Sequence, residues 1–203
     1  MPAGLPTPRS VVVVLCHPNP DGFGAACARV AVDALTERGH TVTLLDLYAE
    51  GFDPVMSLEE LHRYRDRSTV HAGDLVRHVD AVRGADALVF VYPTWWSGLP
   101  AVLKGWLERV MLPGVAFSFD SNNKVRPALT NVRRIVVVST HGSPFRYVAL
   151  VNDNGRRILT RALRLTCGFR VRTTSVRLFS MDKQDDAGRS RHLRRIEHVM
   201  RSL

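Results

Sequence analysis

The chain has 203 residues, of which 45% are hydrophobic and 23% charged, an ordinary globular composition and enough length for one sizeable core. No stretch approaches the roughly 20 consecutive apolar residues that a membrane-spanning helix needs. The three cysteines form no CxxC pair and the eight histidines are scattered, which argues against a zinc site or a disulfide framework. We therefore expect a cytoplasmic protein with no resident metal.

The formal net charge of +9 raises the question of an anionic partner. The excess lies late in the chain, at Arg156, Arg157, Arg161, Arg164, Arg170, Arg172, Arg177, Arg189, Arg191, Arg194 and Arg195. Most of these arginines fall at helical spacings that favour a solvated face, although attraction of phosphate-bearing cofactors is a second interpretation. Neither aromatic interleaving nor a known module points to nucleic acid.

The first half of the chain predicts strands alternating with helices. Proline-rich residues 1–9 predict a disordered leader. Runs of β-branched and other apolar residues predict strands at 10–16, 41–45 and 87–92. Helical periodicity predicts a helix at 23–38, ending at Gly39, and a second helix at 58–83, ending at Gly84.

The second half continues the alternation. We predict a helix at 99–111, a strand at 134–139, a helix that ends before Gly168, a strand at 170–178 and a closing helix at 185–202. Such alternation is typical of βαβ units. The chain therefore predicts an α/β fold: one flavodoxin-like, doubly wound domain over 10–203, with a five-stranded parallel sheet of order 2-1-3-4-5 and helices on both faces.

In such a sheet, ligands bind beyond the carboxyl ends of the strands, which selects the loops 17–24, 93–98 and 140–147. The first loop contains His17, Gly22 and Gly24 and opens a helix, whose free N–H groups and dipole suit a phosphate. Two alternatives remain open. The glycines with Asp46 resemble a degraded dinucleotide fingerprint, and His17 could simply cap the strand end.

The other two loops are rich in aromatic residues. In the second loop, Trp95 and Trp96 follow a buried strand and could wall a flat heteroaromatic ring, or could instead pack against neighbouring helices. The third loop carries His141 and Tyr147 and could face the other side of the same ring. The alternative for this loop is a glycine- and proline-rich turn with incidental aromatics.

The chain resembles the NAD(P)H:quinone oxidoreductase family over nearly its whole length, from Val11 to about Leu203. Residues 90–110, FVYPTWWSGLPAVLKGWLERV, are similar to the family pattern P-x-x-W…P-x-x-L-K-x-W-x-(D/E)-x-V. The 17–23 loop, the Asp46-Leu47-Tyr48 turn, the 140–147 loop and the 167–169 segment also occur in the family's order. The chain departs from the family at Gly22 and Gly24, where the family has Ser/Thr and Asn, and His141 replaces a usual glycine. The segment that carries a hydride-relay histidine in some members is shortened here to 148–155, and nearby Asp153 and Asn154 are not assigned that role.

The resemblance implies a role for each matching position. The flavin phosphate would lie against His17, Gly22, Phe23 and Gly24. The isoalloxazine ring would be held by Pro93, Thr94, Trp95 and Trp96 on one side and by Thr140, His141 and Gly142 on the other. Tyr147 would be the catalytic group, stabilising charge on the reduced flavin, and Arg189 would touch the far phosphate or the adenosine end of FAD.

The resemblance further implies a flavin-dependent NAD(P)H oxidoreductase that reduces quinones or similar small acceptors by ping-pong hydride transfer. FMN is the favoured cofactor, because no long C-terminal extension offers surface for an adenosine half, and FAD is the alternative. NAD(P)H would be the reductant and a homodimer the assembly. A regulatory or electron-carrying flavoprotein that acts on a protein partner is the alternative function.

Overall fold

The computed structural model describes residues 9–67 and 73–203. Its strands are β1 (Ser10–Leu15), β2 (Thr41–Asp46), β3 (Ala87–Pro93), β4 (Phe117–Phe119), β5 (Val125–Pro127), β6 (Arg134–Thr140) and β7 (Arg172–Leu178). Five of them form a parallel sheet in the order β2-β1-β3-β6-β7. Because β6 and β7 are the predicted fourth and fifth strands, the predicted order is confirmed.

The helices lie between successive strands of this sheet, except the last, which follows β7. They are α1 (Phe23–Glu37), α2 (Leu58–Arg65), α3 (Val76–Arg83), α4 (Ala101–Val110), α5 (Phe145–Leu150), α6 (Asn154–Arg157), α7 (Leu163–Cys167) and α8 (Asp186–Arg201). A π-helical turn, Ile158–Ala162, joins α6 to α7, and short 3-10 turns lie at Gly73–Leu75 and Met181–Lys183.

The three central strands of the sheet are buried on both faces, as their unbroken apolar runs require. Val11–Leu15 in β1 and Ala87–Tyr92 in β3 are buried residue by residue. One face packs against a cluster around Trp106 of α4, and the other against a cluster that includes Leu35 of α1 and Ile196 of α8. Burying each such side chain contributes about 1.5–3 kcal/mol, so these two clusters fix the sheet between its helices.

The predicted helix over 58–83 is wrong as one continuous element. A capping box between Ser57 and Glu60 starts α2, which ends at Arg65, and Arg67 has a left-handed φ of 54° that no helix continues. A second helix, α3, begins only at Val76. The remaining part of this prediction, residues 68–72, and residues 1–8 of the predicted leader over 1–9 lie outside the described residues. Arg9 donates its N–H to His40 Nδ1 at 3.2 Å.

The predicted helix between the fourth and fifth strands is likewise broken. Asn152 and Asp153 have φ values of 72° and 45°, so α5 ends before them and α6 starts after them. The β4–β5 hairpin was not predicted, because each of its strands has only three residues and too short an alternation.

Candidate functional site

The carboxyl ends of β1, β3 and β6 lie side by side, so the three predicted loops meet at one edge of the sheet. Pro93 and Thr140 are partners in the β3–β6 register, and the Thr94 N–H donates to the Thr140 carbonyl at 2.8 Å. Pro93 and Thr140 thus form the base from which the second and third loops diverge.

The first loop folds around the His17 imidazole. His17 Nδ1 accepts the Asn19 N–H at 3.1 Å, and the ring lies across the glycines. A Cβ atom on Gly22 or Gly24 would lie 2.8 or 2.7 Å from a ring carbon of His17, closer than real contacts allow. The two glycines therefore make room for this ring.

The helix that follows the first loop begins with free N–H groups. No side chain caps α1 at Gly22, and no acidic residue lies in its first turn. A 15-residue helix with such a start presents unpaired donors and the positive end of its dipole to an anion.

The second loop is a tight turn with two non-glycine residues in the left-handed region. Trp96 and Ser97 have φ values of 47° and 58°, and the turn is closed by the Gly98 N–H donating to the Trp95 carbonyl at 2.9 Å. Trp95 is 58% exposed and Trp96 is fully exposed. The alternative in which both tryptophans pack against helices is therefore wrong.

The third loop buries a histidine. His141 is 2% exposed, stacks on Phe179 with ring centroids 5.0 Å apart, and its Nε2 lies 3.0 Å from the Ser139 hydroxyl oxygen. Its Nδ1 is buried and has no hydrogen-bond partner among the described residues. Burial lowers the pKa of His141, and the nearby Asp153 carboxylate offsets this only in part. The ring is neutral near pH 7.

A cavity of about 460 Å³ opens between the second and third loops. It is lined by Thr94, Trp96, Ser97, His141, Gly142, Ser143, Tyr147, Val148, Val151 and Asp153. Five predicted site residues thus come together, namely Thr94, Trp96, His141, Gly142 and Tyr147.

The other predicted residues lie outside the cavity lining. His17 lies in the loop before α1, Gly22 is the N-cap of that helix, and Phe23 and Gly24 are its first two residues. Pro93 and Thr140 end their strands, and Trp95 lies in the tight turn. Arg189 lies in the first turn of α8, where its Nε is buried without a partner in the described chain. The Phe23 ring lies 6.0 Å from the ring of His192, one helical turn further along α8.

Asp153 is the charged lining residue among those to which the sequence analysis gave no role. Its side chain is 7% exposed and accepts from Arg156 at 2.7 Å and from Arg177 at 3.0 Å. Arg177 in turn lies over the Phe179 ring, 5.1 Å from its centroid. The run Asn152-Asp153-Asn154-Gly155 was the available signal, because these residues favour a turn inside an otherwise helical segment.

Two further properties bear on the chemistry of the site. Within 9–67 and 73–203, no cluster of three histidine, cysteine, aspartate or glutamate side chains is placed to hold a metal ion. Across the same residues, no helix combines the length and apolarity needed to cross a membrane.

The chain as a whole is similar to several known proteins. The protein family described by its flavodoxin-like fold matches residues 9–199. Human ribosyldihydronicotinamide dehydrogenase [quinone] is 31% identical over 188 residues, which cover 80% of this chain and 78% of the human protein. The structure of NAD(P)H:quinone oxidoreductase from Methanothermobacter marburgensis is 26% identical with a TM-score of 0.82, covering 97% of each chain. The structure of Smu.1420 from Streptococcus mutans UA159 is 31% identical with a TM-score of 0.83, covering 95% of this chain and 99% of the other.

Proposed function

The chain belongs to the family with the flavodoxin-like fold, and we propose that it is a flavin-dependent NAD(P)H oxidoreductase that reduces quinones or similar small acceptors. The observation that carries the proposal is the cavity between the second and third loops, at the edge of the sheet where this fold binds its ligands. The names of the human and archaeal relatives support the same reaction class.

The residues of the cavity fit a flat heteroaromatic ring. Its volume of about 460 Å³ lies within the range of small-molecule sites. His141 Nδ1 is a buried nitrogen with no partner among residues 9–67 and 73–203, and such a group normally has one, so a polar atom of a ligand would satisfy it. Backbone groups of Thr94 and Gly142 would hold the two sides of the ring.

The phosphate of the same cofactor would lie at the start of α1. Its uncapped N–H groups are the donors, and His17 would complete the loop around the anion. Because a glycine at 22 and at 24 replaces a hydroxyl or amide side chain, this phosphate would be held mainly by backbone donors and by the imidazole.

A bound flavin supplies the acceptance and donation of a hydride, and the protein supplies positions and charge. Tyr147, half-exposed on the cavity wall, would donate its phenolic O–H toward the negative charge that develops on reduction. Asp153 is paired with two arginines, so the local charge of this trio is positive and favours the same anion. The neutral His141 adds no charge to the cavity.

FMN is the cofactor we propose, with FAD as the alternative. A homodimer is the proposed assembly, because Trp96, Phe145 and Leu150 expose apolar surface near the cavity mouth. The proposed location is the cytoplasm.

Steady-state kinetics of the flavin-loaded protein test this proposal. We expect NADPH oxidation with menadione as acceptor and no protein partner, with parallel double-reciprocal lines as ping-pong exchange requires. A protein that binds flavin but oxidises NADPH only with a partner protein would instead be the electron-carrying or regulatory flavoprotein. Failure to bind FMN or FAD at micromolar protein would overturn both.

A pair of tryptophan and phenylalanine variants tests where the ring lies. Trp96→Ala removes an exposed aromatic that lines the cavity, and Phe169→Ala removes an exposed aromatic that does not. An aromatic stack contributes about 0.5–1.5 kcal/mol, so Trp96→Ala should weaken FMN or acceptor binding about two- to tenfold. Phe169→Ala should leave both unchanged, and equal effects of the two variants would contradict the placement.

A further inference from the structure

A second concave surface, remote from the proposed flavin site, is lined by cations. A groove of about 420 Å³ lies between α8 and β7. Its polar lining consists of Arg191, Arg194, Arg195 and His198 from the helix and Thr174 and Ser175 from the strand. β7 is parallel to its neighbour, and its carboxyl end, at Leu178, lies at the sheet edge that carries the proposed flavin site. Ser175 and Thr174 lie three and four residues before that end, which is about 10–13 Å along the strand.

In the part of the chain that the structure describes, the arginines of this groove have no carboxylate partners. Arg191 and Arg195, four residues apart, are neighbours on one helix face, and such like-charge pairs cost a few tenths of a kcal/mol. Among the described residues, no aspartate or glutamate oxygen lies within 4.0 Å of either arginine or of Arg194. Arg201, two turns further along the same helix, is instead bound by Glu37 and Glu197.

The chemistry of the groove matches a multiply charged anion. Guanidinium groups are charged at every physiological pH and bind phosphate oxygens in a bidentate fork. Three of them in one groove offer more positive charge than a single phosphate neutralises. The Thr174 hydroxyl lies on the same strand face as Val176, which packs against α8, and adds a neutral donor. The groove volume lies within the range of small-molecule sites.

We propose that the groove between α8 and β7 is a binding site for a diphosphate group, carried either by inorganic pyrophosphate or by a nucleoside diphosphate. The site is separate from the proposed flavin cavity and stands without the proposed function. Arg194 and Arg195 are the principal anion contacts. Thr174 fixes the orientation of the anion against the strand.

Calorimetric titration of the FMN-incubated full-length protein with pyrophosphate, and separately with ADP, tests the site. We expect saturable binding of pyrophosphate, with Arg194→Gln and Arg195→Gln each raising its Kd about tenfold, the effect of one charge-assisted contact. Arg201→Gln removes the same charge from the same helix but outside the groove, and its Kd should stay within twofold of the unaltered protein. Preincubation with FMN keeps the anion site at α1 from contributing.

The two ligands separate the two sources of the diphosphate. Tighter binding of ADP than of pyrophosphate would identify an organic diphosphate, and tighter binding of pyrophosphate would identify an inorganic one. Either result supports the proposed site if Arg194→Gln and Arg195→Gln weaken binding of that ligand. Thermal unfolding without ligand shows whether each variant is folded, and relief of repulsion should leave Tm unchanged or slightly raised. Equal weakening by Arg201→Gln, no effect of the groove variants, or no binding at millimolar pyrophosphate would overturn the proposal.

Discussion

Gly155, which lies just after the break between α5 and α6, packs against the turn that carries Trp96. It is the second residue of α6, and a Cβ atom there would lie 3.0 Å from the Gly98 carbonyl carbon and 3.1 Å from the Leu99 nitrogen. Both neighbours are backbone atoms of the segment that carries Trp96, so neither can rotate away as a side chain would. The substitution Gly155→Ala should therefore push α6 and the turn apart.

Two effects of opposite sign decide the result. Alanine is favoured over glycine inside a helix by about 0.8–1 kcal/mol, which alone would stabilise the protein. Forcing an extra methyl group into a packed contact costs about 1–3 kcal/mol. The expected net loss of about 1 kcal/mol corresponds to a fall in Tm of about 2–4 °C for a chain of this size. Because the turn lines the cavity, flavin binding should weaken in the same variant.

Thermal unfolding with and without FMN measures both effects. Gly84→Ala is the matched control, because its φ is −85° and its new Cβ would meet the nearest atom at an ordinary 3.5 Å. This control should leave FMN affinity unchanged and should not lower Tm. A Tm for Gly155→Ala at or above that of the unaltered protein would refute the close-contact reasoning.

Three further predictions address the site and its surroundings. Tyr147→Phe should slow flavin reduction by NADPH about 10- to 100-fold, the effect of one lost hydrogen bond to a charged group, with FMN affinity unchanged; an unchanged single-turnover rate would remove Tyr147 from catalysis. Gly24→Ala should weaken FMN binding by displacing the His17 ring, and much less so in a His17→Ala background; additive losses in the double variant would show that the ring is not involved. Burial lowers the pKa of His192 from 6.5 to about 4, so the unfolded chain binds the extra proton and stability falls as pH drops from 6.5 toward 4. His192→Phe should flatten that part of the stability profile in urea titrations, and an identical profile would contradict the assignment.

The sheet could be predicted because the pattern that marks each strand lies within that strand's own short stretch of sequence. The three central strands are runs of apolar, largely β-branched residues, and the fifth shows an alternating pattern. The order of the strands then followed from general rules for parallel sheets, and the loops at their carboxyl ends followed from the order.

Part of the site could not be predicted because it depends on contacts between distant segments. The three loops and Tyr147 were found from sequence, but the approach of Gly155 to Gly98 and the seating of His17 on its glycines depend on tertiary packing. Asp153 was missed for a related reason. Its left-handed backbone and its pairing with Arg177, 24 residues later, are not visible in helical periodicity.

The helix break at Asp66 and Arg67 could not be predicted from the sequence pattern either. An amphipathic pattern extends through 58–83, and periodicity alone does not register a single left-handed residue. The sequence Ser57-x-x-Glu60 has the pattern of a capping box, but no equally clear signal marks the end of α2 at Arg65.

An anaerobic absorbance titration tests the central claim most directly. Protein reconstituted with FMN and freed of unbound flavin is titrated first with NADPH and then with menadione, with the visible absorption bands of the bound flavin as the readout. The account predicts that stoichiometric NADPH bleaches the bands and that menadione restores them. Protein that emerges without flavin, or reduced flavin that menadione does not reoxidise, would contradict it.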